Sequence, residues 1–225
     1  SIGEVLCRNL HEGGFRGPVF YVNPRHASIG DELSYPDVRS LPQTVDVAIV
    51  ATPPPTLPTV LEHCGERGVR GAIIVSAGFR EGGEAGAAWE RSMLQVARRY
   101  GLRLLGPNSF GVIRTDNGFN ASCGAALPKP GRLALVSQSS ALCAATLDWA
   151  RSLHVGFSTV ISTGVGDDIG FDDVLDFLAR DATTDGIMLY LEGVGDARRF
   201  MSALRAAARV KPVVVMKAGR SLEGR

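Results

Sequence analysis

Val45-Asp46-Val47-Ala48-Ile49-Val50-Ala51-Thr52-Pro53-Pro54-Pro55 is the stretch on which the fold turns. An apolar, β-branched run of strand length stops on a hydroxyl residue and three prolines. So little polar alternation suits a strand covered on both faces, as in a parallel sheet. The pattern then predicts a helix over Leu57–Arg67 and a second strand over Gly71–Ser76. Strand–helix–strand is a crossover unit, and it repeats outward. Pro18–Val22 reads as a strand before it and Arg103–Leu105 as one after it. Helices are expected over Glu4–His11 and Ala85–Tyr100, where Trp89, Met93, Val96 and Ala97 share one face at three- and four-residue spacing.

Leu127-Pro128-Lys129-Pro130-Gly131 reads as a linker, after which the alternation restarts. Strands are expected over Leu133–Val136, Gly156–Ile161, Gly186–Leu191 and Pro212–Lys217, and helices over Ala141–Ser152, Phe171–Arg180 and Ala197–Val210. The sequence thus predicts a second α/β unit. Both ends read as cut. Ser1-Ile2-Gly3 enters a helix with no preceding strand, and Lys217-Ala218-Gly219-Arg220 leaves a strand and stops.

Of 225 residues, 45% are hydrophobic, ample for a buried core, and 24 Lys+Arg against 23 Asp+Glu leave a net charge of +1. Without a net field the chain is a poor candidate for a general binder of nucleic acid or acidic membranes, so an anion must be held by local geometry. Cys7, Cys64, Cys123 and Cys143 lie far apart with no C-x-x-C pair, which fits reduced thiols in a cytoplasmic protein. No apolar run is long enough to span a bilayer and no signal peptide opens the chain.

In open α/β sheets ligands sit beyond the carboxyl ends of strands. The first such end carries Asn23-Pro24-Arg25-His26 where an NAD site would place an acid for the ribose diol. A cation suits a ribose phosphate instead, as in NADP or the 3′-phosphate of coenzyme A; a plain Asn-Pro turn is the other reading. Thr52-Pro53-Pro54-Pro55 makes a rigid apolar wall. Ser76-Ala77-Gly78-Phe79 and Gly106-Pro107-Asn108-Ser109-Phe110-Gly111 follow. Four consecutive ends with small, proline or amide residues favour a ligand groove.

In the second unit, Ser137-Gln138-Ser139-Ser140 precedes a helix. Free N–H donors and a partial positive charge there suit phosphate or carboxylate, and the run of hydroxyls exceeds what a simple cap needs. Glu192, at a strand end before Gly193-Val194-Gly195, is either a surface turn residue or a carboxylate facing the same cleft. Asp167, Asp168, Asp172, Asp173 and Asp176 surround a helix start, which the helix dipole explains; a metal site is the minority reading, and none is assigned.

Taken in order, these residues resemble the ADP-forming (NDP-forming) acetyl-CoA synthetases and the succinyl-CoA synthetase α-subunit. Val22-Asn23-Pro24-Arg25 is similar to the family's V-N-P-K, and Ala51-Thr52-Pro53-Pro54 with Val60-Leu61-Glu62-His63-Cys64 to A-(T/V)-P and V-L-E-E-C. Ile74-Val75-Ser76-Ala77-Gly78-Phe79 is similar to I-I-S-A-G-F and Gly106-Pro107-Asn108-Ser109-Phe110-Gly111 to G-P-N-C-x-G. Ser137-Gln138-Ser139-Ser140-Ala141-Leu142 is similar to S-Q-S-G-A-L, with Ser140 in place of glycine, where a side chain would crowd an anion pocket.

The resemblance implies an α/β fold of two parallel-sheet domains. A Rossmann-like CoA-binding domain over 1–127, lacking its first strand, is followed by a flavodoxin-like CoA-ligase domain over 128–225. It implies reversible conversion of acyl-CoA, phosphate and a nucleoside diphosphate to acid, CoA and triphosphate. Coenzyme A would be held through Asn23, Arg25, Thr52, Pro53, Ser76, Gly78, Pro107 and Asn108, and phosphate, then acyl phosphate, by Ser137 and Ser139. Glu192 would orient a phosphorylated histidine, which in the family lies beyond a K-x-G-R stretch; neither His63 nor His154 stands in the matching motif. Nucleotide and magnesium would belong to an ATP-grasp domain or subunit outside this chain. The implied partners are small molecules, an acyl-CoA and a carboxylic acid, with neither nucleic acid nor membrane and with a homo-oligomer left open. Two other readings stand beside it: a non-catalytic CoA-binding module of a protein acetyltransferase, and an NADP-dependent dehydrogenase, disfavoured because no proton-transfer pair is found.

Overall fold

The structure, a computed structural model, describes residues 1–79, 82–125 and 127–219. Ser1 and Glu4 close a capping box that starts helix α1 (Ile2–Glu12), whose buried Leu6, Asn9 and Leu10 face inward at three- and four-residue spacing. After it come three short strands, β1 (Tyr21–Val22), β2 (Ser28–Ile29) and β3 (Glu32–Tyr35), in the order β1-β3-β2 with β1 parallel to β3. A separate parallel sheet of order β4-β5-β6 holds β4 (Val47–Val50), β5 (Gly71–Ile74) and β6 (Arg103–Leu105).

Helices α2 (Leu57–Glu66) and α3 (Gly83–Tyr100) pack on that sheet. Leu57, Leu61 and Cys64 of α2 are fully buried together with Met93 and Ala97 of α3. A Cβ added at Gly65 would lie 2.3 Å from the Tyr100 ring, so glycine is what lets these helices approach.

The second half is one six-stranded sheet of order β12-β11-β9-β10-β7-β8. Its strands are β7 (Gly111–Arg114), β8 (Phe119–Ser122), β9 (Pro130–Ser137), β10 (Phe157–Ser162), β11 (Gly186–Leu191) and β12 (Val213–Lys217). Helices α4 (Ser140–Ser152), α5 (Phe171–Arg180) and α6 (Ala197–Ala208) make the crossovers. Strands β9 to β12 are parallel, as expected; β7 runs antiparallel to both β10 and β8, so the sheet is mixed. The β7–β8 hairpin precedes the proline pair in sequence yet belongs to this sheet, a feature the alternation did not announce. Pro130 and Gly131, expected in a linker, open β9, with Gly131 pressed on the Gly156 backbone (an added Cβ would sit 2.2 Å from it).

The hairpin is also tied sideways. Arg114 reaches Asp116 at 2.8 Å and Asp181, past the end of α5, at 2.9 Å, with its guanidinium over Phe177. Among the described residues no helix is long and apolar enough to cross a membrane.

Candidate functional site

Three carboxyl strand ends of the first half are knitted together by short bonds. At the end of β5, Ser76 Oγ donates to the Thr52 carbonyl beyond β4 (2.6 Å). The Thr56 hydroxyl donates to Thr52 Oγ1 at 2.9 Å and to the Pro53 carbonyl at 2.7 Å, closing the proline loop on itself. Gly78, at φ +96, lies against Pro54: a Cβ there would be 3.7 Å from Pro54 Cγ. Beyond β6, Asn108 N–H donates to the Ser76 carbonyl at 2.9 Å. Asn108 itself has φ +57, left-handed backbone that non-glycine residues rarely adopt, and follows a cis Gly106–Pro107 bond.

The fourth end stands apart. Asn23 N–H donates to the Tyr35 carbonyl (2.8 Å) and Asn23 Oδ1 accepts from Arg25 N–H (2.9 Å), an Asx turn that presents an exposed Arg25. No hydrogen bond among the described residues joins this turn to the other three.

In the second half, the hydroxyls of Ser137 and Ser139 build their own turn. Ser137 Oγ donates to the Ser139 carbonyl and accepts from Ser139 N–H, both at 3.0 Å, while Ser139 Oγ caps α4 by accepting from Leu142 N–H at 3.3 Å. Among the described residues the N–H groups of Ser140 and Ala141, at the helix start, have no hydrogen-bond partner, as expected of a helix's first turn. The motif chemistry of the serines gives no role to Gln138, between them. Its Oε1 accepts from Glu192 N–H (2.6 Å) and Gly193 N–H (3.0 Å), so the end of β11 hangs from the serine turn. Glu192 is exposed there.

The two groups of loops meet. Ser140 Oγ donates to the Asn108 carbonyl at 3.2 Å, Ser109 Oγ to the Ser162 carbonyl at 2.6 Å, and Val165 N–H to the Pro107 carbonyl at 3.0 Å. Gly164, at φ +55, is wedged between: an added Cβ would fall 2.1 Å from the Pro107 oxygen. Of these contact residues, Ser109 and Ser140 belong to the sequence motifs, whereas nothing in the spacing singles out Ser162, Gly164 or Val165.

Comparison with known proteins now decides the family. Residues 1–115 match the CoA binding domain and residues 130–225 the succinyl-CoA ligase like flavodoxin domain. The chain is 44% identical over 224 residues to an acetate–CoA ligase [ADP-forming] I of Archaeoglobus fulgidus, covering 100% of this chain and 32% of that protein. It is 41% identical over 228 residues to the α subunit of acetate–CoA ligase [ADP-forming] I of Pyrococcus furiosus, covering 100% of this chain and 49% of that one. The chain belongs to the ADP-forming acyl-CoA synthetase family.

Its fold is that of the family's Rossmann-like CoA-binding and flavodoxin-like ligase domains. The structure titled dinucleotide forming acetyl-coenzyme A synthetase 1 of Ca. Korarchaeum cryptofilum, in complex with phosphate and ADP, superposes with a TM-score of 0.94 at 35% identity over 100% of this chain and 48% of that one. The chain thus spans about a third to a half of these relatives.

The strand ends thus present a cation on an exposed turn, a proline wall closed by its own threonine, and glycine and amide backbone. The acidic set is committed elsewhere. Asp168 accepts from Leu104 N–H at 2.6 Å and Arg103 Nε at 3.0 Å, Asp173 pairs with Arg103, and Asp172 pairs with Arg199 at 2.7 Å. Among the described residues no three His, Cys, Asp or Glu side chains group as metal ligands. Burial pushes the Cys143 thiol up to about 12 and Cys64 to about 11, far from nucleophilic thiolates.

Proposed function

We propose that this chain is the CoA-binding and acyl-phosphate-handling part of an ADP-forming acyl-CoA synthetase, an acid–thiol ligase acting on an acyl-CoA and a carboxylic acid. Residues 1–127 form the CoA-binding unit and residues 128–225 the ligase unit, with the 111–122 hairpin of the first completing the sheet of the second. The observation that carries the reading is the meeting of the two loop groups at Asn108, whose carbonyl accepts from Ser140 at the start of α4. A ligase must bring a thiol and an acyl phosphate to one carbon, and here the two candidate sites share a residue.

Arg25 neutralises a ribose phosphate of CoA, while Asn23, Thr52, Pro53, Ser76 and Gly78 line its path and Pro107 and Asn108 its inner end. Bound CoA supplies the thiol that exchanges the acyl group. Ser137 and Ser139 set the turn, and the free N–H groups of Ser140 and Ala141, at the positive end of α4, stabilise phosphate oxygens and charge developing on oxygen. Glu192 accepts from one ring N–H of a histidine and leaves the other nitrogen as nucleophile. That histidine, the nucleotide and magnesium come from outside the described residues, magnesium and nucleotide from an ATP-grasp domain or subunit.

Calorimetry with paired ligands tests this. Arg25→Ala is expected to weaken CoA by about tenfold or more, the scale of one charge-assisted bond, and to leave 3′-dephospho-CoA unchanged. Equal losses for both ligands, or NAD binding more tightly than CoA, would sink the reading. In a longer chain that carries the histidine, Glu192→Gln is expected to slow phosphoryl labelling by about 10²–10³; unchanged labelling removes Glu192 from the mechanism.

A further inference from the structure

The Ser140 hydroxyl, at the start of α4, faces the 106–109 turn. It donates to the Asn108 carbonyl at 3.2 Å. A glycine has nothing with which to make that bond. Asn108 is the residue of the 106–109 turn that most needs holding, because its φ of +57 is costly for a side-chain-bearing residue. Its N–H is held by the Ser76 carbonyl at 2.9 Å, the preceding Pro107 carbonyl by Val165 N–H at 3.0 Å, and the following Ser109 hydroxyl by the Ser162 carbonyl at 2.6 Å. Ser76 belongs to the CoA-binding half; Ser162 and Val165 belong to the second sheet and the loop after it. Ser140 adds a tether to the helix start that carries the free N–H groups of the anion turn.

We propose that Ser140 is a positioning residue that couples the two sites, so that CoA on the 106–109 turn raises the affinity for phosphate at α4, and phosphate raises that for CoA. This rests on the functional reading above. The physical reason is shared ordering. Either ligand fixes part of one hydrogen-bonded turn, and the second ligand then meets a turn already arranged; by linkage the factor is the same in both directions. One neutral hydrogen bond carries about three- to tenfold, and that is the expected size.

The test is a double titration. CoA is titrated calorimetrically at zero and at saturating inorganic phosphate, then phosphate at zero and saturating CoA, for the unaltered chain and for Ser140→Gly, Ser140→Ala and Ser140→Thr. The unaltered chain is expected to show the same three- to tenfold tightening both ways. Ser140→Gly and Ser140→Ala are expected to bring the ratio close to one, and Ser140→Thr, which keeps a hydroxyl, to retain most of it. Alanine guards against helix weakening in the glycine variant. A merely structural role would shift stability or single-ligand affinity and leave the ratio as it was. The proposal is overturned if the ratio survives in both hydroxyl-less variants, or if the unaltered chain binds both ligands with a ratio of one. Failure to bind CoA or phosphate at all is a different result: it overturns the ligase reading, and this inference with it.

Discussion

The two halves of the molecule solve the same problem with unequal means. In the second, β10 is buried along its whole length and lies between β9 and β7, at the centre of six paired strands. In the first, among the described residues, the strands form two three-stranded sheets with no ladder between them. β4 and β1 each have a single partner strand, and Val47 and Val22 are 46% and 38% exposed. In the first half α2 and α3 bury one cluster against β4–β6, while Ile73, Val75 and Leu105 pack into the cluster of the second half's sheet and α5. Two ion pairs mark the extremes. Arg114 and Asp181 are 18% and 7% exposed in the second half, whereas Arg70 and Asp46 in the first are 80% and 79% exposed.

The largest way to break this comparison is at the seam. Gly164→Ala places a Cβ 2.1 Å from the Pro107 oxygen at left-handed φ, and is expected to cost about 3 kcal/mol or more. It should also turn a single unfolding transition into two, the first half melting earlier, as followed by calorimetry and circular dichroism. Next, Arg114→Ala removes the cation from a nearly buried Asp181, which keeps its Thr183 and Thr184 bonds, and is expected to cost about 1.5–3 kcal/mol in denaturant titration, the scale of a charged hydrogen bond. Its counterpart in the first half, Arg70→Ala, is expected to change stability by less than about 0.5 kcal/mol. Equal effects from the two arginines would erase the contrast.

Acid sharpens it. Burial pushes the Asp181 carboxyl up, but hydrogen bonds from Thr184 and Thr183 and the Arg114 charge outweigh it and hold it below the usual carboxylate range. A depressed folded pKa means stability that is present above the unfolded value, about 3.9, and is lost as pH falls through the folded one. The gap in stability between the unaltered chain and Asp181→Asn is therefore expected to be open at pH 7 and to narrow below about pH 4. A gap that widens on acidification would contradict the assignment.

Much of this was legible beforehand because strand–helix alternation records burial directly. The β-branched runs at Val47–Val50, Gly71–Ile74 and Gly186–Leu191 were found at nearly their true limits. Strands β7 and β8 were missed although Asp116-Asn117-Gly118 is hairpin chemistry. Each has only four residues, and Gly111 closes a motif that reads as loop. At the site, the positions of Thr52, Ser76, Gly78 and Asn108 followed from strand ends, which are turns at the ligand edge of such sheets. Their partners did not follow. Gln138 with Glu192 and Gly193, and Ser140 with Asn108, are tertiary neighbours that no local spacing encodes. The helix start does hold Asp172 and Asp173 in its first turn, as the dipole reading expects, but their partners Arg199 and Arg103 lie far off in sequence and no local spacing encodes them.

The 111–122 hairpin has a consequence for how the chain comes into being. Arg114 pairs with Thr159, so a ribosome releasing the chain from the amino terminus makes the hairpin well before its partner strand exists. Until β10 emerges, the inner edge of β7 is an open template, and the first half waits with it. A gene divided at the proline pair would make that wait permanent: the hairpin would leave with one polypeptide, and the other would expose β10, fully buried in the whole molecule, along an unguarded edge.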